Sequence, residues 1–161
     1  MADIIPIDPI TAVFGQSGAL SRAFPGYKPR EGQVSFARAC HDTLSNGGAL
    51  LCDAPCGTGK SLAYLTPAIL RAIQRGERVI IATANIALQE QLVTKDLPSL
   101  KTTLSPLIGD SWRFALLKGR SNYACLSLVH DPAQREEWSS ALSDNELSDL
   151  RRVDAWAQRT K

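Results

Sequence analysis

The clearest chemistry in this chain lies in Ala54-Pro55-Cys56-Gly57-Thr58-Gly59-Lys60-Ser61. The order fits a phosphate-binding loop of the form G-x-x-x-x-G-K-[ST], with Ala54 where the first glycine would stand. Gly57 and Gly59 carry no Cβ, so backbone N–H groups can turn inward at close range around phosphate oxygens. Lys60 offers a point charge to the terminal phosphates, and the Ser61 hydroxyl completes the shell of a Mg²⁺ ion. A Gly-Thr-Gly turn beside a surface lysine is the plainer reading. The flanking residues argue against it.

A phosphate loop needs a strand before it and a helix after it. Gly48 to Asp53 reads as a short buried strand, and Leu62, Leu65, Ile69 and Ile73 recur at helical spacing. The helix N-terminus then favours negative charge. That helix runs from Lys60 to about Gln74, with a kink expected at Pro67. Val79 to Thr83 reads as a second strand, rich in β-branched residues. Asn85 to Asp96 reads as a helix closed by Leu97-Pro98, and Arg113 to Leu117 as a third strand. Alternating strands and helices predict an α/β fold with a parallel sheet and right-handed crossovers. Thr83-Ala84-Asn85 would lie at a strand's carboxyl end, where ligands sit in such folds.

Two further stretches could do chemistry. Tyr27, Arg30 and Gln33 stand just ahead of the loop, before a helix whose apolar stripe is Val34, Ala37, Cys40, His41 and Leu44. The tyrosine ring could lie against an adenine while the Gln33 amide offers donor and acceptor to its edge. A polar helix start with nothing bound fits equally well, and spacing leaves both readings open. Lys118-Gly119-Arg120-Ser121-Asn122-Tyr123-Ala124-Cys125 combines two cations with a tyrosine that could hold a phosphate backbone and stack a base. A solvated loop is the simpler reading of that composition. Residues 1–17 read as an extended or loosely docked arm. From Pro132 onward the pattern is helical, with a capping box at Ser143 to Glu146 and Leu147, Leu150, Val153 and Trp156 on one face. Trp138 and Trp156 read as packing residues.

Composition narrows the classes. With 44% hydrophobic and 21% charged residues the chain is ordinary for a globular domain, and 161 residues can bury a core. A net charge of +2 gives no general attraction to nucleic acid, so any such claim must rest on local features. No apolar run approaches membrane-spanning length, and the first residues lack the pattern of a secretory signal. The expected compartment is the cytoplasm, with no membrane partner, where the four cysteines stay reduced thiols.

Taken together, Tyr27-Lys28-Pro29-Arg30-x-x-Gln33, Ala54 to Ser61, Thr83 to Leu92 and Lys118 to Cys125 resemble the DinG/XPD-like superfamily 2 helicases, the bacterial DinG and YoaA branch most of all. The resemblance covers nearly everything from Gly18 onward, and the last motif makes it specific. It implies an ATP-dependent DNA helicase moving 5′ to 3′ on single-stranded or forked DNA, active in repair or damage tolerance alongside replication or repair proteins. In that family Lys60 and Ser61 are catalytic. ATP is held by Arg30, Gln33 and the loop Ala54, Pro55, Cys56, Gly57, Thr58, Gly59, Lys60 and Ser61, with Mg²⁺ on Ser61. Thr83, Asn85 and Gln89 would touch DNA, as would Lys118, Arg120 and Tyr123. Cys125 matches the first of four thiolate ligands of a [4Fe–4S] cluster.

The implied organisation is an amino-terminal arm (1–17), the first part of a RecA-like P-loop motor domain (18–117) and the helical start of an iron–sulfur insertion (118–161). Two features of the family pattern are missing. There is no Asp-Glu-x-His box, the acidic pair that would hold Mg²⁺ and orient the attacking water, and no further cysteine follows Cys125. The expectation is an amino-terminal portion of a helicase that binds nucleotide but does not unwind DNA alone. A non-catalytic module binding nucleotide or a partner, or a small P-loop kinase, are the competing readings; the kinase would need a lid and an acidic metal ligand.

Overall fold

The computed structural model describes residues 8–159 and divides at Leu116/Leu117 into two compact units. Helices dominate the first: α1 (Pro9–Phe14), α2 (Ala19–Ala23), α3 (Glu31–Asn46), α4 (Lys60–Arg75), α5 (Ile86–Gln91) and α6 (Leu97–Ile108). Among the described residues there is no β-strand, so the parallel sheet and the α/β class expected from the sequence are not what forms. The three apolar segments lie outside helices as anticipated, but no backbone ladder joins them. Leu51 is 100% exposed, Ile80 89% and Leu117 84%. Valine and isoleucine favour a strand only because they pack well on a pleated, half-buried surface. Composition therefore disposes a segment to pair, and pairing requires a neighbour that these segments do not find.

The core is built by helices instead. Ile10, Val13 and Phe14 of α1, Leu20 of α2, Ala37 of α3, Leu65 and Leu70 of α4, and Leu100, Leu104 and Ile108 of α6 form one buried cluster. Removing a side chain such as Phe14, which is fully buried, costs on the order of 3–5 kcal/mol. Residues 8–17, expected as a loose arm, thus contribute a core helix; residues 1–7 lie outside the described residues. The period of Ile10, Val13 and Phe14 is helical, and Pro9 at the first turn is compatible with it.

Asp8 starts that helix. Its carboxylate accepts from the Thr11 N–H at 3.1 Å and from the Thr11 hydroxyl at 2.7 Å, and Arg38 of α3 adds a 3.2 Å ion pair. The two Thr11 hydrogen bonds, helped by Arg38, lower the Asp8 carboxyl from 3.8 to about 2. A depressed carboxylate stabilises the fold above its unfolded value and loses that contribution as pH falls through the folded one. Asp8→Ala is expected to cost about 1 kcal/mol at neutral pH, as for a lost N-cap. Its melting temperature should converge on that of the wild type as pH falls from about 4 towards about 2.

α4 begins at Lys60, continues through Pro67 and ends at Gly76 in the left-handed region (φ 65°). The helix after Asn85 does not stop at Leu97-Pro98, as the sequence implied. It widens into a π-helical turn at Leu92–Asp96, where the Leu97 N–H donates to the Leu92 carbonyl, and continues as α6. Pro98 has no N–H for the Thr94 carbonyl, and its ring would crowd that group. The wider turn absorbs both problems, and Pro98 falls in the tolerant first turn of α6. α6 packs against α2 and against α4, the helix that follows the phosphate loop.

The second unit contains a short 3₁₀ turn at Arg120–Asn122, then α7 (Leu126–Val129), α8 (Pro132–Ala141) and α9 (Asp144–Arg159). Arg135 ties these together. Its Nε donates to the Val129 carbonyl at 2.9 Å, and its guanidinium pairs with Asp154. The Ser143–Glu146 cap forms, with the Glu146 carboxylate accepting from the Ser143 N–H at 2.9 Å. On α9 only Ala157 is buried; Val153 and Trp156 are exposed, while Trp138 of α8 is half-buried.

Candidate nucleotide site

The residues read as a nucleotide-phosphate loop, Ala54 to Ser61, lead into the start of α4. Gly57 and Gly59 adopt φ of 79° and 80°, a region that only glycine enters freely. Lys60 and Ser61 form the first turn of a 16-residue helix, so the dipole behind them is well developed.

The hydrogen bonds of the loop divide by polarity. Four of its carbonyls, those of Ala54, Pro55, Gly57 and Gly59, are taken from within the protein. Lys60 Nζ donates to the Ala54 carbonyl at 2.6 Å and the Pro55 carbonyl at 3.1 Å. The Thr58 hydroxyl also donates to Pro55, at 2.9 Å. Arg30 Nη1 donates to the Gly57 carbonyl, and Gln33 Nε2 to the Gly59 carbonyl at 3.0 Å. By contrast, the backbone N–H groups of Cys56, Gly57, Gly59, Lys60 and Ser61 have no acceptor among the described residues, while Cys56 and Gly57 form a turn that closes at Thr58. A row of amides at a helix start, with carbonyls pinned away, is a site for an anion with several oxygens. The donor set fits a nucleotide's phosphates, and the Ser61 hydroxyl is the group that could hold Mg²⁺ beside them.

Arg30 and Gln33 meet the loop directly, each through one of its glycine carbonyls. Gln33 is only 5% exposed, and its Oε1 accepts from the Tyr27 hydroxyl at 3.1 Å. Burial raises the Tyr27 phenol, with Arg30 opposing the rise, so the hydroxyl stays protonated and able to donate. Tyr64 lies outside the sequence motifs. Burial raises its phenol, a hydrogen bond with Ser61 opposes this, and the Asp96 carboxylate of the π-helical turn adds to it. The signal was available, because Tyr64 stands three residues after Ser61 and so shares its helix face.

Thr83, Asn85 and Gln89 come together as a single cap. The Thr83 hydroxyl accepts from the Asn85 N–H at 3.1 Å, Asn85 Oδ1 accepts from the Leu88 N–H at 3.1 Å, and Gln89 Nε2 donates to the Thr83 carbonyl at 3.1 Å. In the second unit the Lys118 N–H donates to the Tyr123 hydroxyl at 2.8 Å, which folds the Arg120 turn between them. Tyr123 is exposed.

The cysteines do not form a metal centre. Cys125 is exposed ahead of α7, and no three metal-ligating side chains converge among the described residues. One thiolate does not fit a [4Fe–4S] cluster, which takes four. Cys40 is half-buried, and its thiol is pushed up by burial and then by nearby Cys52. No described helix is long and apolar enough to cross a membrane.

The sequence pattern of the DEAD/DEAH box helicases matches residues 35–120. The chain is 40% identical over 152 residues to an ATP-dependent helicase DinG of Mycobacterium tuberculosis, covering 88% of this chain and 23% of the relative. It is also 40% identical over 151 residues to the ATP-dependent DNA helicase YoaA of Escherichia coli, covering 94% and 22%. A Bacillus subtilis protein described as a 3′-5′ exonuclease DinG shares 40% over 116 residues, which is 70% of this chain and 12% of that one. The chain thus spans under a quarter of the length of these curated relatives. No solved structure matches it.

Proposed function

We propose, from the premise that this chain belongs to the DEAD/DEAH box helicase family, that it carries the ATP-binding part of a DNA helicase of the DinG type. The observation that supports this most is the set of unpartnered N–H groups in the loop, those of Gly59, Lys60 and Ser61 foremost, at the start of α4. ATP binding draws Lys60 from the Ala54 and Pro55 carbonyls onto the phosphates, while the loop amides hold their oxygens. Ser61 would hold Mg²⁺, which would supply charge neutralisation when bound. Thr83, Asn85 and Gln89, together with Lys118, Arg120 and Tyr123, are the residues for the DNA strand. Each keeps part of its hydrogen-bonding capacity after its internal bonds, as does the Asn85 amide nitrogen.

The finer reading is 5′ to 3′ movement on single-stranded or forked DNA in repair or damage tolerance, in the cytoplasm. Cys125 as one ligand of an iron–sulfur cluster rests on the resemblance of its motif alone. For the 161 residues by themselves the expectation is nucleotide binding without sustained turnover. They contain no Asp-Glu dipeptide to fix metal and water, and an arginine supplied from elsewhere is worth about 10³–10⁵ in rate in such sites.

The experiment is ATP hydrolysis and strand separation by the intact gene product, with and without single-stranded DNA. Turnover stimulated by DNA, with unwinding of a 5′-tailed duplex and not a 3′-tailed one, is the expected result. Turnover indifferent to DNA, or unwinding from a 3′ tail, would overturn the reading.

A further inference from the structure

We infer that Tyr27 is a positioning residue for the phosphate loop, acting through Gln33 to set the direction of the Lys60 backbone N–H. The chain of contacts is short. The Tyr27 hydroxyl donates to Gln33 Oε1 at 3.1 Å, and Gln33 Nε2 donates to the Gly59 carbonyl at 3.0 Å. A peptide unit is planar and trans, so its C=O and N–H point in opposite directions. Holding the Gly59 carbonyl therefore aims the Lys60 N–H the other way, among the loop donors that lack an acceptor. Arg30 does the same for Thr58 by holding the Gly57 carbonyl.

Both ends of the Gln33 amide matter. Gly59 presents an acceptor, so the nitrogen must face it, and the oxygen is left facing Tyr27. At 5% exposure that oxygen has little access to water. Without the tyrosine hydroxyl it would be a buried acceptor with no donor, and the amide would gain by rotating out of its place. An aromatic ring alone does not meet this need. The hydroxyl is the functional part of Tyr27, and its target is the phosphate half of the ligand.

This rests on the nucleotide-site reading above, and the test separates the two. In the full chain, Tyr27→Phe keeps the ring and removes only the donor. It is expected to weaken binding of Mg·ATP and of inorganic tripolyphosphate by the same factor, about three- to tenfold for one hydrogen bond. Gln33→Ala should weaken both ligands likewise, and Tyr27→Phe should add nothing in that background, because the tyrosine acts through the amide. Equal affinity for both ligands in Tyr27→Phe and wild type would overturn the inference. So would loss of ATP binding with tripolyphosphate unaffected, which would place the pair on the base instead. A lower ligand-free melting temperature with unchanged affinities would assign Tyr27 to packing and overturn it equally. Lys60→Ala serves as the control: if it binds tripolyphosphate like the wild type, the site reading itself fails, whereas loss in Lys60→Ala beside no change in Tyr27→Phe defeats only the positioning role.

Discussion

Lys60→Ala is expected to remove nucleotide binding from the chain at micromolar ligand and to bring ATP turnover of the intact gene product to background. Two effects add. The ammonium is the charged donor best placed for the terminal phosphates, and a charge-assisted hydrogen bond contributes on the order of 1.5–3 kcal/mol, about ten- to 150-fold in affinity. The same group closes the ligand-free loop by donating to the Ala54 and Pro55 carbonyls. Alanine leaves the Ala54 carbonyl without its donor, so the loop loses a constraint before any ligand arrives. Lys60→Arg is the informative companion. It keeps the charge, but a planar fork cannot replace a compact ammonium reaching two carbonyls that belong to adjacent residues. Titration of a fluorescent ATP analogue into all three proteins gives the answer. Wild-type affinity in Lys60→Ala would remove the phosphate-site assignment altogether.

The loop was legible because its physics is local. Glycine at 57 and 59 permits the positive φ, Lys60 and Ser61 follow directly, and the apolar period from Leu62 demands the helix that supplies the dipole. Capping was legible for the same reason at Ser143 and Glu146, three residues apart. The expected sheet does not form, because a strand is not a local object. Val79 to Thr83 has the residue types of a strand, yet Ile80 stands open and no ladder forms. Proline misled in both directions. Pro98 reads in sequence as an end, but a π-helical turn lets the helix pass it, and Pro106 likewise lies within α6. Pro9 helped to hide α1, although it occupies the one turn of a helix that tolerates it. Gln33 shows how pairing over distance escapes a linear reading. Its type fitted an adenine edge, and only the fold reveals a glycine carbonyl 26 residues on as its partner.

That partnership makes Gly59→Ala the second substitution with a large expected effect, and one whose size can be divided. At φ 80° an alanine costs about 1–2 kcal/mol from its Cβ against the backbone. The added Cβ would also stand 2.1 Å from Gln33 Nε2. The amide is the end of a flexible side chain, so it will swing away rather than force the backbone apart. In doing so it abandons the Gly59 carbonyl and the Tyr27 hydroxyl, at about 0.5–1.5 kcal/mol each. The total expected loss is about 2–5 kcal/mol of stability, with nucleotide affinity falling at least tenfold as the Lys60 amide loses its direction. Gly57 provides the comparison, since its φ is 79° but nothing lies within 4 Å of an added Cβ. Gly57→Ala should show the backbone cost alone. Adding Gln33→Ala to Gly59→Ala should recover little affinity, because the clash goes but the hold on the carbonyl does not return. Chemical denaturation of the three variants beside the wild type measures each step. Equal losses for Gly57→Ala and Gly59→Ala would mean that Gln33 does not sit against the loop, and that the polar clamp behind it plays no part in shaping the site.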